Sequence, residues 1–382
     1  MSASSSSDDR IASATAPGTS RRVVALTLVV VVAFAAVAGM ALAYRAGAGR
    51  SAARSVSGGA ASSTQAAGAA RTSATTGAET THLGEVRVSR DFGAETLISR
   101  RVHVPASSTV MSLLASNARV ERAYGGGFVN SIDGVASGFT GAGSQRADWF
   151  YFVNGMQSDR GAADYSVSDD DSVWWDFHRW DFAPSVPAVI GQFPHPFVSG
   201  RAGARPTTIE YADGFSALAH SIAARLSAAG ATRLRVAPLV PAGVEASGAP
   251  AADAQASGAP AADAHRILVG TWAQLTGLTS IADAAAHPAS SGLFAHFETG
   301  RLVTFDVLGS PSTPGEAAGV VLATARADQP TSAIWLLSGT EPRDVEAAAA
   351  LLAGGAPRLR GRFGVAVLRD GSVLALPAKA AQ

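Results

Sequence analysis

The chain has 382 residues, which is room for two or three domains of ordinary size. Its formal net charge is +0, charged residues make up 16%, and no basic run exists to neutralise phosphates, so a nucleic-acid partner is set aside. Cysteine is absent, which excludes disulfides, thiolate metal sites and cysteine nucleophiles together.

Residues 1–22 form a short Ser-rich tail, expected to stay cytoplasmic. Val23 to Tyr44 reads VVALTLVVVVAFAAVAGMALAY and carries no charge. As a helix it would extend about 33 Å, against a bilayer core of about 30 Å. A buried core helix of this length would show a polar face, and only Thr27 and Tyr44 interrupt this one. The segment therefore reads as a single transmembrane anchor whose partner is the lipid bilayer. Ala41 and Ala43 form an Ala-x-Ala pattern, but the apolar stretch exceeds the usual signal-peptide core, which favours an uncleaved anchor. Flanking arginines are nearly balanced, so orientation rests on the short polar tail. The expected location is the cell membrane, single-pass, with most of the chain extracytoplasmic.

Residues 45–81 are mostly Ala, Ser, Thr and Gly without an apolar period, as in a flexible stalk. Two ordered regions are expected beyond it, 82–182 and 184–382. The second carries a loop at 241–264 in which ASGAPAADA occurs twice, at Ala246–Ala254 and Ala256–Ala264. Two copies do not make a solenoid, and an exposed loop tolerates such a duplication.

In the first region, Leu83–Val88 and Leu97–Val104 alternate like strands around a turn at Asp91-Phe92-Gly93. Ser107 or Ser108 is positioned to cap a helix with Val110, Leu113 and Leu114 on one face. Phe128–Ile132 is a further short strand. Trp149 to Val153 is an aromatic strand closed by Asn154-Gly155, a favoured hairpin pair. After Asp169–Asp171, a solvated turn without the ligand spacing of an EF-hand, Ser172–Trp180 reads as a second aromatic strand. Alternation puts Val173, Trp175 and Phe177 on one face and Trp174, Asp176, His178 and Trp180 on the other.

WFYFVNG, then GAADY at Gly161–Tyr165, then DDDSVWWDFHRW resemble the small domain family of bacteria that is related to the C-terminal domain of transcobalamin and intrinsic factor. The resemblance covers about 83–182. It implies a ubiquitin-like β-grasp (α+β) fold, a sheet packed on one helix. In the vitamin carriers that domain closes over cobalamin beside a helical barrel, and no segment here resembles the barrel. A corrinoid is thus a possible ligand by resemblance, with no cofactor expected otherwise. On the residues alone, a strand face of two Trp, a His and an Asp suits a flat ligand by stacking. The candidate ligand-binding residues are Trp149, Tyr151, Asn154, Trp174, Asp176, His178 and Trp180.

The second region reads as an α/β or α+β layered domain. Strands are expected at Val186–Ile190, Arg233–Val240, Arg266–Val269 and Ala333–Leu337. Hairpins are expected at 293–307 and 363–376, and helices at Gly214–Ala229, Gly315–Arg326 and from Pro342. No P-loop, Gly-x-Ser-x-Gly or His-Glu-x-x-His occurs, so no catalytic residues and no metal site are assigned, and enzyme activity stays open only through a triad assembled in space. Two functions are expected to compete: capture of a small molecule, or contact with an envelope protein or polymer without one.

Overall fold

The computed structural model describes residues 81–138, 146–198, 205–240, 263–315 and 317–379. The segment 23–44, the stalk and most of the repeat loop lie outside the described residues. Among the described residues no helix is long and apolar enough to cross a membrane. The structure is a mixed, strand-rich α/β assembly, and residues 76–382 form one compact unit.

The N-terminal part of this unit begins with the hairpin β1 (Thr81–Arg90) and β2 (Glu95–Pro105). Its turn holds Asp91, Phe92 and Gly93 all at positive φ. Helix α1 (Val110–Ala115) follows, capped by Thr109 rather than by Ser107 or Ser108. Thr109 Oγ1 accepts from Ser112 N while Ser112 Oγ accepts from Thr109 N. A small sheet of β3 (Val120–Ala123), β4 (Phe128–Ile132) and β5 (Val135–Ala136) comes next. It leads to β6 (Ala147–Val153), β7 (Met156–Gln157) and β8 (Ser172–Arg179). The main sheet runs β2-β1-β8-β6-β7, with first and last strands β1 and β8 parallel. One face of this sheet packs on α1, burying Val86, Val88, Leu113, Leu114, Tyr151, Val173 and Trp175. This is the sheet on one helix that the β-grasp resemblance implies.

Val186–Ile190 is not a regular strand; only Ala188 makes an isolated bridge, to Met156. The pyrrolidine of Pro187 removes a ladder donor there. The parallel core comprises β9 (Thr207–Tyr211), β10 (Leu234–Pro238) and β11 (His265–Thr271), with α2 (Ser216–Ala228) crossing between β9 and β10. Three short helices missed by periodicity follow: α3 (Trp272–Leu275), α4 (Thr279–Ala286) and α5 (Pro288–Ser291). A small sheet of β12 (Ala295–Glu298), β13 (Arg301–Phe305) and β14 (Pro311–Ser312) comes after them.

The stretch expected as a helix at Gly315–Arg326 is instead strand β15 (Ala317–Ala325). Its alanines favour a helix locally, but Val321 and Ala323 enter one core while Val320 and Leu322 enter the other. Burial on both faces with period 2 overrides propensity. The chain ends with β16 (Ala333–Gly339), α6 (Pro342–Ala353), α7 (Ala356–Leu359), β17 (Gly364–Leu368) and β18 (Val373–Leu376). The seven strands are ordered β10-β9-β11-β16-β15-β17-β18.

Helices α2 and α6 cover one face of this sheet through Ile222, Leu226, Val345 and Leu352. The opposite face shares a hydrophobic cluster with the first sheet: Phe92, Phe152 and Trp174 meet Leu268, Val320, Leu322, Leu336 and Phe363. The two sheets are therefore sealed together by one core.

His265 lies buried at the start of β11, and its Nδ1 accepts a hydrogen bond from Ala333 N at 3.0 Å. Only the unprotonated nitrogen can accept, and burial pushes the imidazole down from 6.5 to about 4. Between those values the unfolded chain binds a proton that the folded chain does not, so stability falls as pH falls through that window and is flat below it. At about 1.4 kcal/mol per pH unit, the loss reaches roughly 3 kcal/mol. Urea unfolding at pH 7 and pH 4.5 should show this decline, and His265→Gln should reduce it, leaving the share of the half-buried His195, whose pKa is also lowered to about 4. Equal slopes in both proteins would contradict the assignment.

Candidate functional site

The expected stacking face does not open to solvent. Trp174 is 0% exposed and its ring lies 5.6 Å from that of Phe152 and 5.1 Å from that of Phe363. His178 is 2% exposed, sandwiched between Phe92 and Phe150 at centroid distances of 4.4 Å on each side. Asp176 is fully buried beneath them. Alternation separated the two strand faces as read from the sequence. However, the face carrying Trp174, Asp176 and His178 meets the seven-stranded sheet instead of a ligand. A corrinoid or any flat molecule stacked on Trp174 has no room, because Phe152 and Phe363 already occupy that space.

Four groups aim at the two oxygens of Asp176. Ser89 Oγ donates to Oδ2 at 2.5 Å and Gly93 N to the same atom at 2.8 Å. Phe92 N donates to Oδ1 at 3.0 Å, and His178 Nδ1 lies 2.9 Å from Oδ1. Trp174 Nε1 in turn donates to Ser89 Oγ at 2.7 Å. The carboxylate thus fixes the positive-φ turn at 91–93 and orients the imidazole. Buried polar groups fully satisfied in this way set one arrangement of a core. Geometrically, this is a positioning network built around the Asp176 carboxylate.

The remaining expected site residues are also placed by packing. Trp149 and Tyr151 point to the α1 face, where the Trp149 ring lies tilted 5.3 Å from that of Phe177 and donates from Nε1 to Val135 O at 3.0 Å. Tyr151 donates its hydroxyl to Ser158 Oγ at 2.7 Å or to Arg160 O, and burial raises its pKa to about 12. Asn154 sits at φ +53 in the hairpin turn and bridges Asp171 Oδ1 and Ser172 N. Trp180 alone is half-buried at the surface, with the Arg146 guanidinium 5.3 Å above its ring.

A different region leaves hydrogen-bonding capacity unspent. Trp272, Ala285, Ala286, Pro288, His296, Phe297, Glu298 and Phe305 line an open depression of about 380 Å³. Trp272 on α3 and Phe297 on β12 supply its aromatic wall, their rings 5.6 Å apart. His296 and Glu298 share the other face of β12, two residues apart. His296 Nε2 lies 3.1 Å from Glu298 Oε1, and Nδ1 is buried without a partner. If Nε2 carries the proton toward the carboxylate, Nδ1 presents a bare acceptor. The Glu298 carboxylate is 69% exposed. The sequence signal for this site was the Ala-His-Phe-Glu alternation before a Thr-Gly turn, which reads first as a plain hairpin strand.

Among the described residues no three His, Asp or Glu side chains converge in a way that could hold a metal ion. Residues 107–179 match the model of a family described as a domain of unknown function, DUF4430. The match falls within the span 83–182, and the resemblance read there is borne out over it. No curated protein matches the chain. Among solved structures, haptocorrin in complex with Cbi is similar at 17% identity over 26% of this chain and 26% of its own, with a TM-score of 0.23. A candidate metal-binding protein from Ruminococcus gnavus is similar at 15% identity over 25% of this chain and 95% of its own, with a TM-score of 0.20. The chain spans about a quarter of the haptocorrin length.

Proposed function

We propose that this chain is a membrane-anchored, extracytoplasmic binding module that captures a neutral, polyhydroxylated ligand, a saccharide ring, in the depression between α3 and the β12–β13 hairpin. The observation that carries the reading is the exposed Glu298 carboxylate, oriented by His296, beside the aromatic wall of Trp272 and Phe297. The carboxylate accepts hydrogen bonds, so it calls for a ligand that donates. An anion would meet the carboxylate unfavourably. Hydroxyls on a ring with one apolar face satisfy both the carboxylate and the aromatic surface of Trp272 and Phe297. The uncharged run 23–44 and the Ala/Ser/Thr/Gly spacer 45–81 support display of this site outside the cytoplasm.

Residues 76–382 titrated with a panel of hexose and N-acetylhexosamine oligosaccharides should show saturable binding with a change in tryptophan emission. Trp272→Ala and His296→Ala should each weaken it about tenfold, the equivalent of roughly 1.4 kcal/mol. Intact cells carrying the full chain should retain the labelled oligosaccharide, and cells carrying Trp272→Ala should not. Binding that survives both substitutions would remove the depression as the site. Retention that appears only after lysis would remove the extracytoplasmic placement.

A further inference from the structure

Among the described residues Arg87 is a buried cation with no ion-pair partner. It projects from β1 toward the seven-stranded sheet and is 9% exposed. Its one hydrogen bond among the described residues runs from Nη2 to Thr96 Oγ1 at 2.6 Å, and Nε has no partner. The guanidinium lies against Gly361, where an added Cβ would overlap it, and 5.8 Å from the Trp174 ring. The two carboxylates that favour its charge are already engaged. Glu85 accepts from Arg360, and Asp176 is filled by the four groups described above. Arg360 and Arg362 both oppose the Arg87 charge, and burial lowers its pKa further. An unpaired buried charge is costly, and five donors in a rigid fork are suited to an oxyanion.

The surroundings add to such a site. Ser99 and Thr96 stand exposed on β2 nearby, and Arg360 Nη2 reaches Ser99 Oγ at 3.0 Å. The Arg360 side chain is 48% exposed. We propose that the β1–β2 edge and the turn 360–362 together bind a phosphate group, held by Arg87 and Arg360 with the hydroxyls of Ser99 and Thr96. The phosphate supplies the negative charge that Arg87 lacks, beside Arg360, which Glu85 already pairs. This site is distinct from the depression at Trp272, which calls for a neutral ligand where this one calls for an anion. A free phosphate and a phosphodiester of the envelope share this oxyanion chemistry.

Thermal unfolding of the full chain in detergent micelles tests this, with inorganic phosphate, poly(glycerol phosphate), acetate and chloride compared at equal ionic strength. Phosphate should raise Tm saturably, by about 2–4 °C at ten times its Kd. Arg87→Met and Arg360→Gln should each abolish that rise, and Arg360→Gln serves alone if Arg87→Met does not fold. A stronger effect of the polymer would identify a phosphodiester as the source; equal effects would identify free phosphate. A rise no larger than that with chloride, a rise matched by acetate, or a rise retained in Arg360→Gln would overturn the assignment.

Discussion

Replacing Trp174 with alanine is expected to lower the unfolding free energy by about 3–5 kcal/mol, the range for removing a buried Trp or Phe. The ring fills the joint between the two sheets, touching Phe152, Phe363 and the Arg87 guanidinium. Its removal leaves a cavity that both sheets border, and it frees Ser89 Oγ from its second partner. Because the joint belongs to a single core, the backbone is not expected to collapse around the gap, and relaxation recovers only part of the loss. Trp180, half-buried at the rim, should cost under about 1 kcal/mol when truncated. Urea unfolding of the two variants measures the difference through their midpoints at constant slope. A neutral Trp174→Ala would mean the face is accessible to solvent and open for stacking after all.

Asp176→Ala should be comparably damaging, at about 3–5 kcal/mol, for an electrostatic reason and not a packing one. Two backbone N–H groups, a hydroxyl and an imidazole would each lose their acceptor in a dry environment. Each such orphaned group costs about 1–3 kcal/mol, and part of that is recovered by local rearrangement. Asp91, Phe92 and Gly93 all adopt positive φ, strained for the two side-chain-bearing residues, and these bonds hold the turn together with Asp91 N to Phe177 O and the packing of Phe92. Gly93 cannot shift far, since an added Cβ there would overlap Gly361 O. The turn should therefore loosen first. Hydrogen exchange would then show the Phe92 and Gly93 amides losing protection ahead of the strands. Amides that stay protected in Asp176→Ala would show that packing of Phe92 alone holds the turn.

Much of the first sheet was legible from the chain. The Asn154-Gly155 turn, the alternation along Ser172–Trp180 and the Asp91-Phe92-Gly93 turn are local chemistry, and the structure keeps each of them. What one strand could not reveal is what its second face meets. Trp174, Asp176 and His178 look like a ligand platform in isolation because stacking rings and a carboxylate serve a cofactor and a core equally well. Phe363, about 190 residues later, is the side chain that closes the face, and no local pattern announces it. The same limit explains β15. Its Ala-rich sequence favours a helix, and only the cores on both sides make it a strand. The depression at Trp272 and His296 is assembled from α3, the end of α4, the start of α5 and the β12–β13 hairpin, so its parts are scattered along the sequence.

The central claim is that the aromatic face of β8 is a shared core joining two sheets into one cooperative unit. Native-state hydrogen exchange of residues 76–382 tests it most directly, by comparing the amides of Val173–His178 on β8 with those of Ile334–Leu337 on β16. Equal opening free energies, both at the global value, are predicted. Exchange of the β8 amides at a clearly lower free energy, while β16 stays protected, would contradict it and restore that face as a surface available to a ligand.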